Sequence, residues 1–227
     1  MTSNRADGLG TRSRLLTAAC RLFAEQGYQA TKTAEICHAA RANVAAVNYH
    51  FGGKKALYIA AWRHAVAQSA KAYPLDGGVP PDAPPVERLR GHVMTLVRRC
   101  MDDRSLDMKI VDREILHPSG IFPEVVHHSI EPLREILDSI IRDLLGPAAS
   151  PEAVRLCAMS VHAQCRAVIG YERRVRKMPL SGHCHLPSLA LELDVLVEHI
   201  IRFSLAGVRA VQANERQVAR VSKSKGR

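Results

Sequence analysis

The chain reads as an all-α protein, and three observations carry that reading. Apolar residues make up 47% of its 227 residues, ample for a packed core, while Phe, Trp and Tyr together reach only 4%. Ala, Leu, Arg and Val are abundant, and runs of alternating polarity are few. Apolar positions recur at helical spacing through most of the chain, and Gly and Pro punctuate it at a handful of places.

Taken in order, Met1 to Gly10 is a polar arm, expected to be flexible. A first helix then runs from about Thr11 to Gln26, with Leu15, Leu16, Ala19, Leu22 and Phe23 at helical spacing and Gly27 as its stop. Thr31, or alternatively Thr33, caps a second helix that carries Ala34, Ile36, Ala39 and Ala40. A turn follows at Arg41-Ala42, and Asn43 caps a short third helix, Val44 to His50, before Gly52-Gly53 breaks the chain. Val47 should face inward, with Asn48, Tyr49 and His50 outward or along the rim. Two short helices joined by a tight turn form a DNA-reading helix-turn-helix, with the motif at about 32–51 inside a module of residues 11–71. The small side chains of Ala45 and Ala46 let the start of the third helix approach base edges. Lys54 and Lys55 open a fourth helix, where their charge adds to the backbone N–H groups that bind phosphate.

Tyr73 to Pro85 contains five prolines and a glycine pair and cannot continue a helix, so 72–85 reads as a linker. Beyond it, residues 86–212 read as a helical body for ligand binding and dimerisation. Val86 to Met101 carries Leu89, Val93, Leu96 and Val97 on one face, and Ser105 to Leu116 carries Leu106, Ile110 and Ile115. A long helix follows from Pro123 to about Leu145, with a kink expected at Pro132 and a stop at Gly146-Pro147. Ser150-Pro151-Glu152 starts another that reaches Lys177, and a loop spans Met178 to Pro187. The last helix, about Ser188 to Val211, has Leu189, Leu193, Leu196, Ile200 and Phe203 along one stripe and Leu191, Val195, Val197 and Ile201 around it, a face wider than one neighbour needs. Residues 213–227 lack apolar periodicity and read as a disordered basic tail.

Charge is unevenly placed. Residues 1–72 hold ten Lys and Arg against three acids, a net +7, and the last fifteen residues hold a net +4, so the middle of this +10 chain is near neutral. One basic end on a neutral body suggests a polyanionic partner for that end. The six cysteines are scattered through apolar patterns, which for a cytoplasmic chain means reduced, mostly buried thiols. No leader-like segment and no run of about eighteen apolar residues is present, so no membrane association and a cytoplasmic location are expected.

The succession LLTAACRLFAEQGYQAT, AEI and VNYHFGGKKALY resembles the N-terminal DNA-binding domain of the TetR family of transcriptional regulators over roughly Thr11 to Trp62. The resemblance implies a ligand-responsive regulator, most often a repressor, that binds a palindromic operator on double-stranded DNA as a homodimer built from its last two helices. It further implies that Lys32, Thr33, Asn43, Tyr49, His50 and Lys54 lie near phosphates, with Val44, Ala45, Ala46 and Asn48 nearest the bases. Core packing is the plainer role for Tyr49 and Phe51, and for Phe51 the preferred one. The departure is Arg41, where the family has a turn glycine; a side chain there costs strain if φ is positive. Asp112 to Leu137, DREILHPSGIFPEVVHHSIEPLREIL, together with CAMSVHAQC and VEHIIRFSLAG, resembles the ligand-binding domain of the CecR-type branch of that family. A small-molecule effector is then expected among these helices, with His92, Arg113 and Gln164 as polar lining chosen from their positions.

A different class of function is a helical enzyme or metal-binding protein whose basic end is incidental. His162 and Cys165 sit three apart on one helix and His183-Cys184-His185 lies in a loop, so a metal-responsive site is conceivable. The loop spacing matches no zinc motif, and buried structural His and Cys are commoner, so no metal and no cofactor are expected. There is no Gly-rich phosphate loop, nucleophile elbow or His-Glu-x-x-His, so no enzyme is expected. Asp102, Asp103, Asp107, Asp112 and Glu114 read as solvated faces and local ion pairs.

Overall fold

The structure, a computed structural model, describes residues 3–177 and 192–225, with side chains at 9–121, 134–171 and 192–217. The described residues form nine helices and no strand: α1 (Ser3–Ala30), α2 (Thr33–Ala39), α3 (Ala45–Phe51), α4 (Lys54–Ala72), α5 (Pro85–Met101), α6 (Leu106–Leu116), α7 (Phe122–Leu145), α8 (Pro151–Lys177) and α9 (Leu193–Lys225). No helix among the described residues is long and apolar enough to cross a membrane. The helices fall into two compact units, one of residues 1–72 and 103–131, the other of residues 73–102 and 132–227.

The first unit packs α1 to α4 around Leu15, Phe23, Ile36, Val47, Leu57 and Trp62. It also contains α6, although the Pro-rich stretch lies between α4 and α6 in the chain. Ile110 is fully buried in this core, and Leu106 and Val111 pack against it. Two carboxylates tie the helix down. Glu114 accepts the Tyr58 hydroxyl, together with the Ser119 N–H at 2.9 Å and the Ser119 hydroxyl at 3.1 Å, and Asp107 accepts the Ser69 hydroxyl. The expectation that these two carboxylates are solvated is therefore corrected. Asp107 is 1% exposed and Glu114 6%, and their hydrogen bonds offset the cost of removing them from water.

The second unit packs α5, α8 and α9 against one another, and the C-terminal half of α7, where Leu137, Ile140, Ile141 and Leu145 are buried, is tied to α5 by the Arg88–Asp143 ion pair at 2.7 Å. Its first segment is folded back tightly. The Tyr73 hydroxyl donates to Asp102 at 2.7 Å, and His92 Nδ1 donates to the Leu75 carbonyl at 2.8 Å. A Cβ on Gly77 would stand 2.4 Å from the Gly91 backbone, so two glycines allow the linker to lie directly on α5.

Three helix limits differ from the sequence expectation. The last helix starts at Leu193, with Glu192 outside it, and not at about Ser188, while the expected loop, Met178 to Pro187, and residues 188–191 lie outside the described residues. The backbone of residues 3–10, expected as a flexible arm, continues α1, and Gly27 (φ 81°) is the expected break near its other end. The last helix does not fade at 213 but runs to Lys225. Its extension is anchored locally. Gln212 Nε2 donates to the Leu144 and Leu145 carbonyls at 2.9 and 3.1 Å, satisfying acceptors that the end of α7 leaves open, and Glu215 accepts the Ser150 N–H at 2.7 Å. Ser150 in turn accepts the Ala153 N–H at 3.1 Å, the cap anticipated for α8.

Candidate nucleic-acid interface

The interface is built from the end of α1 upward. Thr31 does not cap α2, contrary to expectation. Its buried hydroxyl donates to the Gly27 carbonyl at 2.7 Å and reaches the Leu22 carbonyl at 3.3 Å, so it closes α1 instead. Lys32 occupies the N-cap, and its N–H donates to Glu35 Oε2 at 3.2 Å, the reciprocal half of a capping box. Ile36 and Cys37 then face the core.

The turn has a defined chemistry. Ala40 ends α2, the Arg41 N–H donates to the His38 carbonyl at 3.1 Å, and the Ala42 N–H donates to the Cys37 carbonyl at 2.9 Å. That pair of bonds is a Schellman motif, whose first residue beyond the cap must adopt a left-handed conformation. Arg41 does so, at φ 51°, and it is the single non-glycine residue with positive φ among the described residues. The strain anticipated for this position is thus present. Asn43 does not occupy the N-cap as expected: α3 starts at Ala45 with Val44 as its N-cap and no side-chain cap bond, while Asn43 Oδ1, one residue earlier, accepts the Ala45 N–H at 2.9 Å in a local turn.

α3 is anchored on one side only. Val47 is fully buried, and Ala46 and Phe51 pack against the same core. On the other side Val44, Ala45, Asn48 and Tyr49 are exposed, Tyr49 to 85%, and the His50 ring meets the Tyr49 ring edge-on at 4.9 Å. Gly52 (φ 78°) ends the helix in the left-handed conformation. At the start of α4, Lys54 Nζ lies 4.5 Å from the centroid of the Tyr28 ring. Partial burial holds its ammonium below the ordinary lysine range, with Glu35 pulling the other way. Of the ten residues singled out for DNA, Lys32, Asn43, Val44, Ala45, Asn48 and Tyr49 are exposed, and Thr33, Ala46, His50 and Lys54 are half-buried. Glu35, which orders Lys32 and faces Lys54, was not among them; its position three residues beyond the N-cap is the signal that points to it.

The three residues expected to line a ligand pocket are held by different partners, two in the second unit and one in the first. His92 is buried in the second unit and holds Leu75, and burial followed by the nearby Arg99 charge keeps its imidazole below the usual histidine range. Gln164 donates to the Ser204 hydroxyl at 3.3 Å, joining α8 to α9. Arg113 belongs to the first unit, where its guanidinium donates to the Glu25 carbonyl, because α6 packs there. A groove of about 660 Å³ in the second unit is lined by residues including Val79, Arg88, Ile136 and Ser139, and by none of the three. Of the metal candidates, His162 is exposed and Cys165 fully buried, its thiol pushed up to about 12 by burial and hence protonated. His183, Cys184 and His185 lie outside the described residues, and among those described no three His, Cys, Asp or Glu side chains are grouped to hold a metal ion.

A short helix held by one buried valine, with its opposite face exposed, on a three-helix core in a basic segment defines a helix-turn-helix DNA-binding regulator. Residues 15–61 match the model of the bacterial regulatory proteins of the tetR family, and residues 85–208 match that of the C-terminal domain of the HTH-type transcriptional dual regulator CecR. The chain belongs to the TetR family of transcriptional regulators, with a CecR-type C-terminal domain. Its fold is similar to that of the fatty acid degradation regulator FadR from Bacillus halodurans, at 15% identity and a TM-score of 0.64, over 88% of this chain and 96% of that one. It is likewise similar to FadR from Bacillus subtilis in complex with stearoyl-CoA, at 16% identity and a TM-score of 0.64, over 86% and 98% of the two chains. A third similar structure is AibR in complex with isovaleryl coenzyme A and operator DNA, at 16% identity and a TM-score of 0.59, over 84% and 96%. No curated protein sequence matches the chain.

Proposed function

We propose that the chain is a homodimeric repressor that holds a palindromic operator and releases it when an acyl-coenzyme A occupies the second unit. The observation that carries the DNA half is the exposed face of α3, where Asn48 offers a carboxamide for a base edge and Val44 and Ala45 offer apolar contact for a thymine methyl. Lys32, Asn43, Tyr49, His50 and Lys54 flank that face as phosphate partners, with Thr33 beside Lys32 and Ala46 allowing close approach. Support for the effector class comes from the similar folds of FadR and AibR, whose structures hold stearoyl-CoA and isovaleryl coenzyme A.

Support for the dimer comes from α8 and α9. Each buries one apolar face in its own unit, yet Leu156 and Met159 on α8 and Val195 and Phe203 on α9 remain exposed, Met159 to 67% and Phe203 to 63%. In a dimer the two α3 helices must stand about 34–36 Å apart, or a multiple of that, to meet successive major grooves. An effector releases the operator only by binding more tightly to a spacing that does not fit DNA. The chain passes between the units at 72–73, 102–103 and 131–132, so α4 and the two ends of the α6 segment are the covalent routes for that change.

Fluorescence anisotropy with DNA from upstream of the coding sequence tests this reading. Wild type should prefer one sequence and lose affinity steeply with salt, Asn48→Ala should lose the preference, and Lys54→Ala should weaken all sequences alike. Stearoyl-CoA or isovaleryl coenzyme A should release the DNA. Binding without sequence preference and without salt dependence would overturn the regulator reading, and indifference to both thioesters would overturn the effector class.

A further inference from the structure

The helix that precedes the helix-turn-helix starts at Ser3, twelve residues ahead of Leu15, the first core side chain among the described residues. Two contacts locate that end of α1 on the motif. The Arg12 guanidinium lies over the Phe51 ring, 5.0 Å from its centroid, and Phe51 is the last residue of α3. Arg14 Nε donates to the carbonyl of Ala40, the C-cap of α2, at 3.1 Å, and its Nη2 donates to the Thr11 hydroxyl at 3.0 Å. Residues 11–14 therefore span from the end of one motif helix to the end of the other.

The two arginines are used differently. Arg14 spends donors on protein oxygens, which makes it a structural tie. Arg12 is exposed, and its contact is with the face of a ring, an attraction of charge to quadrupole that fixes the guanidinium without using its N–H donors.

We propose that Arg12 is a further DNA-contacting residue, held by Phe51 at the C-terminal end of α3 to donate to a backbone phosphate beside the groove that α3 enters. This rests on the DNA-binding reading above. A seven-residue helix is about 10 Å long, against a major groove about 12 Å wide. When the first residues of α3 reach base edges, its last residue stands near a sugar-phosphate rail, and a cation seated there meets an oxyanion. Guanidinium suits that task, since it offers paired donors to phosphate and stacks on an aromatic ring at the same time. The helical turns ahead of Arg12 continue from this anchored point and carry Arg5.

The test measures affinity for a selected operator against salt for wild type, Arg12→Gln and Arg12→Lys, with thermal melts of each. Each phosphate contact contributes about 0.9 to the slope of log affinity against log salt. Arg12→Gln should lower the slope by about 0.9 for each subunit bound, with equal loss on operator and mismatched DNA, whereas Arg12→Lys keeps the charge and most of the slope. A slope for Arg12→Gln equal to that of wild type, whatever the affinity, overturns the proposal. So does an equal loss of slope in Arg12→Lys, because the effect then follows the packing on Phe51 and not the charge. A wild type with no sequence-selective, salt-dependent binding would instead sink the DNA-binding reading itself.

Discussion

Replacing Arg41 with glycine should stabilise the protein, and the reason is local. Arg41 sits at φ 51° because the two Schellman bonds, Arg41 N–H to the His38 carbonyl at 3.1 Å and Ala42 N–H to the Cys37 carbonyl at 2.9 Å, require a left-handed residue between α2 and the turn. A residue with a Cβ loses about 1–2 kcal/mol in that conformation. Glycine avoids the clash but gives up about 0.5–1 kcal/mol more backbone entropy on folding. The difference is a net gain of about 0.5–1 kcal/mol, which for a chain of this size raises the melting temperature by about 1–4 °C. Urea unfolding followed by far-ultraviolet circular dichroism measures it, with Arg41→Ala as the control. Alanine removes one positive charge from a chain of net +10 but keeps the Cβ, so it should stay within about 0.5 kcal/mol of wild type. If Arg41→Ala gains as much as Arg41→Gly, the benefit is electrostatic and the strain argument fails. If Arg41→Gly is the less stable protein, the side chain contributes more than its backbone costs.

Three further outcomes follow from the same contacts. Tyr58→Phe removes a buried donor from Glu114 while leaving those of Ser119, and should lower the unfolding free energy by about 1.5–3 kcal/mol; a loss below about 0.5 kcal/mol would mean that Glu114 is solvated after all. Phe203→Glu places a charge on the exposed stripe of α9, and light scattering after size exclusion should then report a monomer, an unchanged dimer ruling this face out of the interface. Burial and then Arg99 hold His92 below its ordinary value of 6.5, so under about pH 6.5 the unfolded chain binds more protons than the folded one. Stability should therefore fall as pH drops from 7 towards 5, by at most about 1.4 kcal/mol per pH unit from this residue, and His92→Gln should flatten the slope of urea midpoint against pH. Equal slopes for the two proteins would show that His92 does not carry the effect.

Much of the fold was legible because its rules are local. Leu15, Phe23 and Val47 follow helical spacing into the core, Gly27 and Gly146 interrupt helices through positive φ, and Asn43 accepts an amide two residues on, just ahead of α3. The features that were missed depend on partners far along the chain. Asp107 and Glu114 look solvated in sequence, yet their hydrogen-bond partners are 38 and 56 residues away, and Gln212 extends α9 by bonding carbonyls 67 and 68 residues earlier. Thr31 was misread for a nearer reason, since a hydroxyl between two helices can serve either end, and here the Gly27 carbonyl takes it.

Sequence alone therefore determined the helical class and the short helix around Val47, because period acts within a few residues, and the family resemblance marked Arg41 as the residue that would be strained if its φ were positive. Tertiary structure decided that α6 leaves the run of helices following the linker to complete the first unit, that Arg113 is tied there to the Glu25 carbonyl, and that Arg12 is seated against the end of α3. Those outcomes turn on which apolar face finds the larger complementary surface and which buried carboxylate or cation finds its partner, and both are settled only when distant segments meet.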